Sequence, residues 1–113
     1  MLRAETEEVV AVLVADESKT VCRMAVGGAA ARYRFRPDLM VVGKALANGF
    51  PLAAVGGRAD IMAATERTWI SSTLATEVVA LAAADATLDV MTRDDVPRRI
   101  GRIGRLLFDG LVA

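Results

Sequence analysis

The stretch Asp38-Leu-Met-Val-Val-Gly-Lys-Ala-Leu-Ala-Asn-Gly-Phe-Pro51 carries a short apolar run, Leu39 to Val42, into a small-residue turn that holds a single lysine, Lys44. Four apolar residues without alternation, punctuated upstream by Arg36-Pro37-Asp38, predict a strand buried on both faces of a parallel sheet. A surface lysine normally stands among polar neighbours with its ammonium in water. Lys44 instead has Val41, Val42, Gly43, Ala45 and Leu46 on either side. An amine kept from water gives up its proton more readily and becomes a nucleophile, the condition for Schiff-base chemistry. The competing reading is a lysine that snorkels from a strand end.

Outward from this run, the chain alternates between the two kinds of periodicity. Residues 2–8 read as the last turns of an acidic helix. Val9 to Ala15 is a seven-residue apolar run that predicts another buried strand, closed by Asp16-Glu17. The next twenty residues contain Gly27-Gly28 and read as loop, with a short helix around 28–33. After Lys44, Leu52 to Val55 predicts a third strand, followed by Gly56-Gly57 and a short helix from Ala59 to Ala64.

The hydroxyl-rich junction Trp69-Ile70-Ser71-Ser72-Thr73 precedes a strong helix predicted over Ala75 to Met91, with Val78, Leu81, Ala82, Ala84 and Leu88 as its apolar face. A last helix begins near Asp94-Asp95, where Pro97 suits a first turn. Val96, Ile100, Ile103, Leu107 and Leu111 form one of its stripes. Arg98, Arg102 and Arg105 form another, either a solvated face or a basic patch for an acidic partner.

Composition narrows the function classes. The 113 residues suffice for one small domain, and a hydrophobic share of 54 % with only 4 % aromatic leaves burial to Ala, Val and Leu. Fourteen basic residues balance fourteen acidic ones, so no overall field favours nucleic acid or an anionic membrane. One cysteine, Cys22, rules out an internal disulfide, and the absence of histidine argues against an ordinary zinc site. The acidic N-terminus does not resemble a signal peptide, and the apolar runs are short for a membrane span. The expected location is the cytoplasm. Three short strands with no visible edge protection, and a final helix still presenting an apolar stripe, read as a slice of a larger α/β fold.

Asp16 is the second position of chemical interest. If its strand runs parallel to that of Lys44, both emerge at the carboxyl edge, where open α/β sheets collect ligand-binding groups. An ordinary ion pair, or an Asp bonded within its own turn, would satisfy this placement. So would the arrangement of a pyridoxal phosphate site, with lysine as the Schiff-base amine and Asp on the pyridinium nitrogen.

The segments Val12-Leu-Val-Ala-Asp16-Glu17, Arg36-Pro37-Asp38-Leu39 and Gly43-Lys44-Ala-Leu-Ala-Asn48-Gly49-Phe-Pro51-Leu-Ala-Ala-Val-Gly56-Gly57 together resemble the class III aminotransferases. The Gly-Gly-Arg-Ala-Asp-Ile-Met run from Gly56 is similar to the glutamate-1-semialdehyde aminomutase branch. The resemblance covers roughly residues 2–112. It implies a fold-type-I large domain, a mainly parallel sheet flanked by helices, of which residues 1–113 would be a partial pyridoxal 5'-phosphate-binding portion. It implies Lys44 as the cofactor-bound proton carrier and Asp16 as the pyridinium partner. Ser72 and Thr73 match the place where the family's Thr reaches the cofactor phosphate, usually from the neighbouring subunit of a homodimer. A hydroxyl and backbone amides at a helix start suit an anion, and a plain N-cap suits the same residues.

The chain departs from the family pattern in places. Ser18 stands at the cofactor ring where an apolar residue normally packs, and Val21-Cys22 stands where the family usually has Gly and an aromatic or apolar residue. The family's early phosphate loop, the aromatic over the other ring face and the C-terminal small domain have no counterpart here. The implied activity is amino-group exchange between an amine or amino acid and a keto acid or aldehyde. An aminomutase and a non-catalytic remnant are the alternatives.

Overall fold

The computed structural model describes residues 2–9, 11–70 and 72–113; Val10 and Ser71 of the runs above lie outside them. After the helix α1 (Leu2–Glu8), β1 (Val14–Asp16) pairs in parallel with β2 (Leu39–Val42), setting Val14 opposite Leu39 and Asp16 opposite Val41. β3 (Ala54–Gly57) completes the sheet on the other side of β2, in the order β1-β2-β3. The fold is thus mixed α/β, a three-stranded sheet with helices around it. β3 runs antiparallel to β2, with Val42 opposite Ala54 and Leu39 opposite Gly57. The physical reason is the connection: residues 43–53 form a tight turn and loop, with no helix to carry the chain back for a parallel crossover.

β1 is shorter than the apolar run Val9 to Ala15 predicts. Pro37 has no N–H to offer a longer ladder, and Asp38 takes over at the next position. The Asp38 and Leu39 amides donate to the Leu13 carbonyl, while the Leu13 amide donates to Asp38 Oδ2 at 2.9 Å. A side chain thereby replaces a strand neighbour. Val9, Val12 and Val14 are exposed, so the expected two-sided burial of this run is not met within the chain. β3 also sits two residues later than Leu52 to Val55. Its end is fixed by Gly57, at φ +158°, where any Cβ would collide with the Asp38 carbonyl oxygen and lie 2.8 Å from Leu39 Cα. No side chain fits that approach.

The helices α2 (Gly28–Tyr33), α3 (Ala59–Met62), α4 (Val78–Arg93) and α5 (Val96–Val112) follow the predicted order. The core lies where α4 crosses the turn after β2: Leu46, Ala47 and Ala84 are buried, with Val42, Leu52, Ala83 and Leu88 packed around them. The buried face of α4 is Ala80 and Ala84, four residues apart, while Val78 and Leu81 are exposed. Small side chains win this face because the helix backbone must come close to the turn. α5 buries Pro97, but Ile100, Ile103, Leu107 and Leu111 of its apolar stripe are exposed.

Candidate functional site

Asp16 and Glu17 are neighbours at the carboxyl end of β1, and strand alternation sends them to opposite sides. Asp16 is exposed at the sheet edge, where its Oδ1 accepts the Ser18 N–H at 2.9 Å. The Ser18 side chain and backbone hold the Asp16 carboxyl below the usual carboxylate range; burial opposes them, and the Lys44 and Lys19 cations add to the lowering. These partners favour the ionised form of Asp16.

Lys44 arrives at the same edge from the adjacent parallel strand, three positions past Val41, the register partner of Asp16. Gly43 is extended, and the chain then tightens into a 3-10 turn over Lys44–Ala47, closed by the Leu46 amide on the Gly43 carbonyl at 3.0 Å. Leu46 and Ala47 go down into the core, leaving Lys44 exposed above them. The expected shielding of Lys44 from water is therefore corrected: its apolar sequence neighbours pack on the other side of the turn.

Lys44 has φ +45°, a left-handed conformation that costs a long side chain about 1–3 kcal/mol. Cys22 at φ +61° and Asn48 at φ +45° are also left-handed, and all three line one open pocket of ≈ 430 Å³, shared with Met91 and Ile100. Backbone strain held around a single cavity is characteristic of functional sites. The Cys22 thiol is fully buried, and burial pushes its pKa up, so it stays an inert thiol.

The structure thus brings Asp16, Ser18 and Lys44 together. It does not bring Ser72 and Thr73 to them: both are exposed in the segment before α4, and among the described residues no hydrogen bond joins them to Asp16, Ser18 or Lys44. Nor do they open the helix. α4 begins at Val78, and its N-cap is Glu77, whose carboxylate accepts from the Val79 and Ala80 amides at 2.9 and 2.6 Å. The helix start expected near Ala75 gives way because a carboxylate satisfying two end amides is the stronger cap.

Three polar residues beneath the edge escaped the sequence reading. Glu17 is 1 % exposed and accepts from the Ala29 and Ala30 amides at 2.7 and 2.6 Å and from the Thr20 hydroxyl. It caps the start of α2 from a distant strand. Burial pushes the Glu17 carboxyl up, but these donors outweigh it and leave it below the usual range. Asp38, also buried, accepts from Arg58 Nη1 at 3.1 Å, while Arg58 grips Asp60 through Nε at 3.1 Å and Nη2 at 2.6 Å. The available signals were the hydroxyl three residues after Glu17 and the Arg-x-Asp spacing at Arg58.

Comparison with known proteins matches the model of one family, aminotransferase class-III, over residues 1–113. The chain is 41 % identical over 113 residues to the glutamate-1-semialdehyde 2,1-aminomutase of Methanothrix thermoacetophila, covering 97 % of this chain and 26 % of that protein. It is 36 % identical over 115 residues to the aminomutase of the same name from Neisseria gonorrhoeae, covering 99 % and 27 %. Among solved structures, it superposes on the ornithine aminotransferase of Toxoplasma gondii, a structure with PLP at partial occupancy in its active site. The TM-score is 0.84 and the identity 29 %, over 96 % of this chain and 26 % of that one. An S-selective transaminase from Arthrobacter gives a TM-score of 0.80 at 29 % identity, over 97 % and 25 %. The chain spans about a quarter of the length of the relatives it matches.

Proposed function

We propose the activity from one premise, that this chain belongs to the class-III aminotransferase family: it supplies the lysine and the ring-facing carboxylate of a pyridoxal 5'-phosphate site for amino-group transfer. The observation that carries this reading is the emergence of Asp16 and Lys44 side by side from two adjacent parallel strands. The donor set fits the group, since a primary amine and a carboxylate held in its ionised form are what an aldehyde and a basic ring nitrogen require. When bound, the cofactor draws electrons from the carbon that carries the amino group.

The protein's own residues do the rest. Lys44 Nζ would hold the cofactor through its aldehyde carbon and, once released, carry a proton between substrate and cofactor carbons. Asp16 would face the ring nitrogen and keep it protonated, and Ser18 keeps Asp16 ionised and oriented. Ser72 and Thr73 would meet the phosphate of a neighbouring subunit, which makes the working unit a homodimer and accounts for their distance from Lys44 here. The amino group passes between an amine or amino acid and a keto acid or aldehyde. A second reading, movement of the amino group within one substrate, is favoured by the aminomutase relatives at 36–41 % identity.

Titration with pyridoxal phosphate tests the site. Wild type should develop the visible absorbance of lysine-bound cofactor and Lys44→Ala should not; an equal signal in the variant would mean labelling of other amines and would overturn the assignment. Turnover without any added keto acid, with the amino group moved to a neighbouring carbon of the same skeleton, would select the aminomutase reading.

A further inference from the structure

Four arginines converge beside α5, and one of them, Arg23, also lines the Lys44 pocket. Arg23 comes from the turn before α2, Arg32 from the last turn of α2, and Arg98 and Arg105 from one face of α5. Together they line an open pocket of ≈ 550 Å³ whose apolar side is Met24, Val26 and the buried Pro97. The arginine stripe of α5, seen from sequence as either a solvated face or a basic patch, therefore meets two further arginines from separate segments.

The acids present do not balance these charges. Asp95 is the acid lining this pocket, and it lies 3.9 Å from Arg98, a loose contact. The adjacent Asp94 is committed to Arg93 through two bonds of 2.7 and 3.0 Å. Arg23 donates to the Lys19 carbonyl at 3.2 Å and Arg32 lies 5.6 Å from the Tyr33 ring, and among the described residues neither has a carboxylate partner. Arg105 folds back along α5, its Nη1 4.0 Å from where a Gly101 Cβ would lie. The first turn of α5 carries Arg98 and Arg99 and no acid, so these cations also sit against the positive end of the helix dipole. Cations gathered in this way repel one another until an anion joins them.

We infer that this arginine pocket, which adjoins the Lys44 pocket at Arg23, is a second ligand site that takes a small anion of two or more negative charges, of the pyrophosphate class. Guanidinium forks suit phosphate oxygens bidentately. The apolar side of Met24, Val26 and Pro97 allows an organic body beyond the charged group.

Inorganic pyrophosphate titrated into the full chain by calorimetry at low salt tests this. Saturable one-site binding is expected, weakened at least tenfold in the double variant Arg98→Gln/Arg105→Gln and several-fold in Arg23→Gln or Arg32→Gln. The double variant Arg98→Lys/Arg105→Lys keeps the charge without the fork and should bind at an intermediate level, which separates lost charge from a disturbed helix; far-UV circular dichroism checks the latter. Lys44→Ala should abolish the cofactor signal while weakening pyrophosphate binding far less than Arg98→Gln/Arg105→Gln, so failure at the cofactor edge and failure here are told apart. An equal loss in Arg67→Gln, outside the pocket, or binding that does not saturate, would overturn the site. So would a short poly-glutamate peptide that displaces pyrophosphate at far lower concentration, which would make the surface a contact for acidic protein segments.

Discussion

The carboxyl edge of the sheet and the layer just beneath it use the same kinds of side chain to opposite ends. At the edge, Asp16 and Lys44 are exposed, and among the described residues Asp16 is bonded to its own turn through Ser18. Beneath it, Glu17 and Asp38 are buried and bonded to amides and to cations from distant segments. Adjacent residues in sequence, Asp16 and Glu17, fall on the two sides of this divide because strand alternation turns one outward and the other in. In this protein a buried charge holds the backbone together, and an exposed charge is left available for chemistry.

The largest effect should come from breaking the lower layer. Glu17→Ala removes a charged acceptor from three donors and leaves the Ala29 and Ala30 amides unsatisfied at the start of α2, a loss of about 3 kcal/mol. A urea transition should show it as a lowered midpoint at unchanged slope. The sign of the pH dependence follows from the direction of the shift. The folded Glu17 carboxyl lies below its unfolded value, so its contribution is complete above the ordinary glutamate range and is lost as pH falls through the folded value. Glu17→Gln should flatten that acid-side loss, and an unchanged acid profile would place the anchoring elsewhere.

Arg58→Met should have a smaller effect, about 1 kcal/mol by the same urea transition, because Arg58 is half exposed although its partner Asp38 is buried. A loss as large as that of Glu17→Ala would move Arg58 into the group of buried anchors. The smallest effect on the fold belongs to the edge. Ser18→Ala should leave the urea midpoint where it is and let the Asp16 carboxyl drift back up towards the ordinary range, readable by NMR titration of its side-chain carbon. A shift in the midpoint would show that the edge, too, is structural.

Much of this arrangement is legible from local pattern. The apolar run Leu39 to Val42 is a strand because four unbroken apolar residues between punctuating residues have no other use for both faces. The Gly27-Gly28 pair and Pro97 mark helix starts within a residue or two. The strand Val9 to Ala15 was overextended because its end depends on Pro37 and Asp38, some two dozen residues away. The helix after Ser72-Thr73 starts late because Glu77 competes for its end amides, and a hydroxyl-rich junction gives no sign of that contest.

The sequence by itself determined the types of element, the carboxylate and the amine at strand ends, and the family to which they point, because each rests on neighbours a few residues apart. Only the tertiary structure decided which charges face water. Glu17 reaches an α2 start that lies twelve residues on, Asp38 the Leu13 amide just before β1 twenty-five residues back, and Arg98 shares a pocket with Arg23. The burial of Glu17 and Asp38 is set by what lies across the fold, and no short window along the chain contains both ends of these contacts.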